Sequence, residues 1–173
     1  MKNGHGKINF QNFGFDGNQY IIDHKSKRQY MTHQLTAYND LKVGQKASLQ
    51  KKITEEDLSN FIAITGDENP LHVDASFAEQ TFFGQRIAHG MLSASLFSTL
   101  VGMHIPGIGA IYKSQTLEFL RPVFIGDTLV AWFEITAIDP EKELIEIKSW
   151  IENQDGKIVI EVKTIASLLR GLK

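Results

Sequence analysis

Apolar residues recur along the chain at two different periods, and the change of period organises it. Over residues 54–65 the spacing is helical: Leu58, Phe61 and Ile62 lie three and four apart, and Thr65 continues the stripe. Thr54-Glu55-Glu56-Asp57 has the form of a capping box, in which the hydroxyl and the acid each satisfy an amide the first turn leaves orphaned. Gly66 is placed to end this helix in a left-handed conformation. Asp74 can cap another short helix through about Gln80, and residues 81–89 read as a loop. From residue 109 the period becomes two. Residues 109–123, 128–138, 143–153 and 157–169 alternate β-branched or aromatic residues with polar ones, and residues 41–53 read as a turn and a strand. Gly126-Asp127, Asp139-Pro140 and Asp155-Gly156 supply the turns between the late strands.

Between the two regimes lies a segment with neither period. Met91 to Val101 carries no charge on any face and is bracketed by Gly90 and Gly102. A surface helix would show a polar stripe, so this one is expected to be buried all round, its Ser and Ala residues leaving room for close neighbours. Four long strands joined by short turns favour an antiparallel meander. A buried helix followed by such strands is satisfied by one curved antiparallel sheet wrapped around a central helix, an α+β architecture known as a single hotdog.

Residues 1–37 are rich in Gly, Asn, Gln, Lys and His and hold no sustained period. They read as a loosely ordered N-terminal extension to a domain over residues 38–173, with Tyr20-Ile21-Ile22 able to dock as a strand and Met31 as an alternative start. A length of 173 residues suits one domain with a sizeable core. The 42% apolar and 22% charged fractions are those of a globular chain, and a net charge of −2 gives no reason to expect nucleic acid. The absence of cysteine excludes disulfides, thiolate metal sites and Cys nucleophiles. No run approaches the roughly 20 apolar residues of a membrane helix. No basic-then-apolar leader is evident, and a cytoplasmic location without membrane association is the expectation.

Candidate chemistry concentrates in Gly66-Asp67-Glu68-Asn69-Pro70-Leu71-His72. Gly66 permits a tight turn, Asn69 can bond its own backbone, and Pro70 stiffens the loop, holding Asp67 and His72 at the ends of a short arch. A carboxylate and an imidazole so held are what acid–base addition of water needs. The same residues are also ordinary turn chemistry, and both readings stand on this segment alone. Gly90 begins the uncharged helix, where free amides favour a developing negative charge; it either donates to such an oxygen or merely starts the helix. His89 reads as satisfying a neighbouring carbonyl. His72, His89 and His104 lack metal-motif spacing, no Gly-x-Ser-x-Gly elbow or dinucleotide fingerprint occurs, and Arg121-Pro122 suggests a strand edge or bulge.

These segments resemble the MaoC-like (R)-specific enoyl-CoA hydratases. The run from Phe61 to His72 is similar to that family's signature, and Arg86-Ile87-Ala88-His89-Gly90-Met91-Leu92 to its second block. Pro106-Gly107-Ile108-Gly109 leading into Tyr112, and Pro122-Val123-Phe124-Ile125-Gly126-Asp127, match two further blocks in order, so the resemblance runs from about Tyr38 to the C-terminus. It implies a hotdog homodimer binding an acyl-CoA thioester along the subunit interface, with no cofactor and no metal. Asp67 and His72 would hold the catalytic water, Gly90 would supply an oxyanion amide, and Ser98 would lie beside the pair. The implied reaction is syn hydration of a trans-2-enoyl-CoA to the (R)-3-hydroxyacyl-CoA. A dehydratase acting on acyl carrier protein, and a non-catalytic acyl-thioester-binding module, are the alternatives; a basic rim at the pocket mouth would favour the former.

Overall fold

The computed structural model describes residues 15–16, 19–22 and 35–169, the first six as strand backbone only. The expected extension over residues 1–37 therefore falls mostly outside the described residues. Within it, β1 (Phe15–Asp16) and β2 (Gln19–Ile22) form, and β2 runs parallel to β3 (Lys46–Lys52) with Tyr20 opposite Ala47. The Tyr20-Ile21-Ile22 piece does dock as a strand.

The main sheet is antiparallel and comprises β3, β4 (Ala110–Phe119), β5 (Thr128–Asp139), β6 (Leu144–Glu152) and β7 (Ile158–Leu168). Their order is β3-β5-β6-β7-β4. The meander holds for β5, β6 and β7 but not for β4, which leaves its sequence neighbour β5 and pairs with β7, Ala110 opposite Leu168 and Phe119 opposite Ile160. The cause lies in residues 120–127. The Leu120 amide is still held by the Val159 carbonyl at 2.8 Å, but Pro122 has no amide to continue the ladder. The chain then bridges Phe124 to Ile87 and turns on Asp127, whose Oδ2 accepts from the Phe124 amide at 2.8 Å. The strand ends at Phe119, not at residue 123, and Arg121 lies beyond it.

One face of the sheet is a continuous apolar wall. Leu129, Ala131, Phe133 and Ile135 of β5 and Ile145, Ile147 and Ile151 of β6 are buried, as alternation requires. On this wall lies the central helical layer, which is segmented rather than one helix: α4 (Gly90–Ala94), α5 (Leu96–Thr99) and a π-helical turn over Leu100–His104. The break falls at Ser95, whose hydroxyl donates to the Leu92 carbonyl at 2.6 Å and competes with the helical ladder. Phe97, Leu100 and Val101 point into the sheet and are buried. Met91, Ser95, Ser98 and Met103 are exposed in the single chain, so the uncharged layer is not buried all round. Its lack of charge has a second cause, because the open face lines a cavity.

The helix read over residues 54–65 forms as α1 (Glu55–Thr65), capped at its start by reciprocal bonds between Thr54 and Asp57 and at its end by Gly66 at φ 73°. The short helix expected after Asp74 forms as α3 (Ala75–Glu79), and before it lies α2 (Pro70–Val73), a one-turn helix the sequence reading did not expect. Among the described residues no helix is long and apolar enough to cross a membrane.

Candidate active site

The arch between α1 and α2 is fixed by its own polar atoms. The Asp67 amide donates to Thr65 Oγ1 at 3.2 Å, Asp67 Oδ1 accepts from the Asn69 amide at 3.2 Å, and Asn69 Oδ1 accepts from the Leu71 amide at 3.0 Å. Pro70 opens α2, so His72 sits on a one-turn helix where an irregular run was expected. Two braces hold that turn. The Arg86 guanidinium joins the Glu55 carboxylate of α1 to the His72 carbonyl, the latter at 3.4 Å, and the Ile87 amide donates to the Leu71 carbonyl at 3.2 Å.

The Ile87 carbonyl also sets the state of His72. It lies 2.8 Å from His72 Nδ1, and a carbonyl can only accept, so Nδ1 carries the hydrogen. In the neutral ring Nε2 is then left with a lone pair.

His89 completes the group. Its side chain is 3% exposed, its Nε2–H donates to the Asp67 carbonyl at 3.0 Å, and the same nitrogen lies 3.9 Å from Asp67 Oδ2. Its ring centroid is 3.8 Å from that of His72 and 5.0 Å from that of Phe61. The expectation that His89 satisfies a neighbouring carbonyl is met, but the carbonyl belongs to Asp67. Sequence reasoning left His89 outside the site. The available signal was the position of a His next to the glycine that opens a helix. His89 is the residue before α4 and its side chain offers no cap to that helix.

Asp67, His72 and His89 each bring a ligand atom within 4.8 Å of the others, the composition of a metal site. The bonding argues otherwise. His89 Nε2 is engaged by the Asp67 carbonyl and its Nδ1 is buried, which leaves only His72 Nε2 and the Asp67 carboxylate open. Two open ligands fall short of the three a catalytic zinc takes from protein.

A cavity of about 730 Å³ brings Asp67 and His72 of the arch together with Gly90 and Ser98 of the helical layer. Ser95, one turn nearer Gly90, shares the lining, although only Ser98 was singled out from sequence. The opposite wall is β4, through Tyr112 and Gln115. Residues three apart on a regular strand face opposite ways. Here the register shifts between Tyr112 and Ser114, so Tyr112 and Gln115 pair with Ala166 and Thr164, which share one buried face of β7. Burial pushes the Tyr112 phenol up from its ordinary value, opposed by the hydrogen bond its hydroxyl shares with Thr164 Oγ1 at 3.1 Å, so the hydroxyl stays protonated at neutral pH.

This geometry accompanies a clear kinship. The MaoC like domain family matches residues 38–154. An (R)-specific enoyl-CoA hydratase of Rhodospirillum rubrum is 45% identical over 124 residues, covering 72% of this chain and 85% of that protein. A mitochondrial 3-hydroxyacyl-[acyl-carrier-protein] dehydratase of Solanum lycopersicum is 36% identical over 132 residues, covering 75% and 79%. Among solved structures, the (R)-hydratase of Aeromonas caviae aligns with a TM-score of 0.72 at 42% identity, over 75% of this chain and 98% of that one. The chain belongs to the MaoC-like domain family, as a hotdog-fold enzyme of the hydro-lyase class.

Proposed function

We propose that the enzyme hydrates trans-2-enoyl-CoA to (R)-3-hydroxyacyl-CoA, with Asp67 and His72 as its acid–base pair. The observation that supports this reading is the anchoring of His72 Nδ1 on the Ile87 carbonyl at 2.8 Å, which turns the ring's other nitrogen away from that bond, in a cavity that His72 and Asp67 line together with the first residue of α4. Water held between Nε2 and the carboxylate loses a proton to the pair as its oxygen bonds to C3 of the enoyl group. The π electrons of the C2–C3 bond move toward the thioester, and the Gly90 amide donates to the enolate oxygen that results. The pair then returns the proton to C2, so that hydroxyl and hydrogen add to the same face. Ser98 orients the acyl group from the helical layer. No cofactor or metal is needed for these steps.

The single chain leaves the site open: the Asp67 side chain is 50% exposed and Met91 51%. A second copy of the chain closing over this face fits the homodimer that the family resemblance implies. The domain boundary at residue 38 and a cytoplasmic location complete the proposal.

The test is loss of conjugated enoyl absorbance with crotonyl-CoA, run beside Asp67→Asn, followed by analysis of product chirality. Hydration by the wild type that collapses in the variant and yields the (R) product supports the reading; no turnover on short or long enoyl-CoA substrates sinks it. The Solanum relative favours one alternative, dehydration of a 3-hydroxyacyl group on carrier protein, which runs the same equilibrium in reverse. A lower KM for the carrier-protein thioester than for the CoA thioester would select it.

A further inference from the structure

The turn that carries His72 cannot hold itself. α2 is four residues long, too short to persist alone in water, and its last carbonyls need partners beyond the helix. Two consecutive residues supply them. The Ile87 amide donates to the Leu71 carbonyl at 3.2 Å, and Arg86 Nη1 donates to the His72 carbonyl at 3.4 Å. The Ile87 carbonyl accepts from His72 Nδ1 at 2.8 Å, so residues 86 and 87 grip both the backbone and the ring of one histidine. Their own segment is anchored on its far side, where Ile87 bridges Phe124 and the Ala88 amide donates to the Val123 carbonyl at 2.7 Å. Arg86 is held in turn by α1. Its Nη1 and Nη2 donate to the two carboxylate oxygens of Glu55, a fork that fixes the guanidinium plane.

Neither Arg86 nor Glu55 lines the cavity that Asp67 and His72 share; both border a separate cleft with Ala75 and Glu79. We propose, resting on the hydration reading, that Arg86 is a positioning residue that acts through His72. Its forked pair with Glu55 ties the histidine turn to α1 and sets the angle at which the imidazole faces the Asp67 carboxylate. Asp67 is placed without it, by bonds to Thr65 and Asn69 within the arch. Loss of the fork therefore frees one member of the pair and leaves the other in position. The acid–base step needs both groups to reach one water, so the rate suffers. Substrate binding does not, because the guanidinium stands outside the cavity. Lysine replaces it only in part: an ammonium is a point donor and does not span two carboxylate oxygens and a carbonyl in one plane.

Glu55→Gln and Arg86→Gln break the pair from either side, and the double variant removes it. The Glu55 side chain is 60% exposed, so Glu55→Gln leaves the fold intact even if Arg86→Gln does not. Each single variant is expected to lower kcat for crotonyl-CoA about tenfold at unchanged KM, and the double variant no further, because the two residues act as one brace. Arg86→Lys is expected to recover part of the loss. The ring itself is read without turnover, by nitrogen NMR of enzyme carrying isotope-labelled histidine, with His72→Gln identifying the His72 signals. In the wild type Nδ1 is expected to be the protonated nitrogen of the neutral ring, and both single variants to mix in the other tautomer. Losses that multiply in the double variant, a changed KM in place of a changed kcat, or a His72 ring unaltered in Glu55→Gln would overturn the assignment. A ring loosened in both variants, with no hydration by the wild type, would uphold the brace and refute the hydratase reading instead.

Discussion

His89 donates its Nε2–H to the main-chain carbonyl of Asp67 at 3.0 Å while its ring lies against that of His72, 3.8 Å between centroids. One buried side chain thus spans both members of the proposed acid–base pair, and it directly precedes Gly90. His89→Phe keeps the ring contact and removes the donor. Leaving the Asp67 carbonyl unpaired costs about 1–3 kcal/mol. If that cost falls on the reactive geometry, kcat drops about 10- to 100-fold at nearly constant KM. Steady-state kinetics of His89→Phe and His89→Gln decide it: partial recovery in the Gln variant, whose amide can donate, is the expected result, and equal losses with a shared drop in Tm would mean a packing role only.

Asp67→Asn removes a carboxylate that accepts from the Asn69 amide, lies 3.9 Å from His89 Nε2 and belongs to a half-exposed side chain. Little stability depends on it. A fall in kcat of about a thousandfold is expected, with Tm shifted by about 2 °C or less. Assay and thermal melt on the same preparation check the two halves together.

Gly90→Ala meets the Phe119 ring at 2.7 Å, but that ring is the far end of a half-exposed side chain and can swing away. The stability cost should stay under about 1 kcal/mol. Activity should fall more than stability does, because the added methyl and the displaced ring disturb Gly90, which lines the candidate active-site cavity. Adding Phe119→Ala to Gly90→Ala should restore the stability; a double variant no more stable than Gly90→Ala would show that the backbone at residue 90, not the ring, is what the methyl disturbs.

Asp57 supplies a pH dependence. Burial alone would push its carboxyl up, but the hydrogen bonds from Lys51 and Thr54 and the Lys51 charge outweigh it and hold the group below the ordinary value. A depressed folded-state value means the unfolded chain takes up the proton first as the pH falls. The stabilisation is therefore complete at neutral pH and disappears below about pH 4. Asp57→Asn should be less stable at pH 7 by about 1 kcal/mol, as for loss of an N-terminal cap partner. Its disadvantage should shrink toward pH 2.5. Denaturant midpoints across that range would show parallel curves if Asp57 were uncoupled from folding.

What the sequence made legible is what acts locally. The ends of α1 are written in Thr54, Asp57 and Gly66, which cap within a few residues, and the Asp67-to-His72 arch is built from bonds between near neighbours. The alternation of β5 and β6 reports directly on burial. The partner of β4 was not legible, because alternation gives a strand's faces and not its neighbours. The break at Ser95 escaped because it depends on where one hydroxyl turns. Tyr112 and Gln115 escaped as a pair because a single register shift after Tyr112 reverses the facing that counting predicts. His89 was assigned a correct kind of bond, but its acceptor, 22 residues away, is set by tertiary structure.

The crossing of β4 to β7 also bears on biosynthesis. β4 lies opposite residues 160–168, so the cavity wall that carries Tyr112 and Gln115 has no hydrogen-bonded neighbour until the chain has been made through β7. A ribosome that has released the arch, the helical layer and β5 presents Asp67 and His72 facing half a pocket, with an open strand edge beside them. Closure waits on a pairing of high sequence separation, which is slow and leaves that edge available to other chains in the interval.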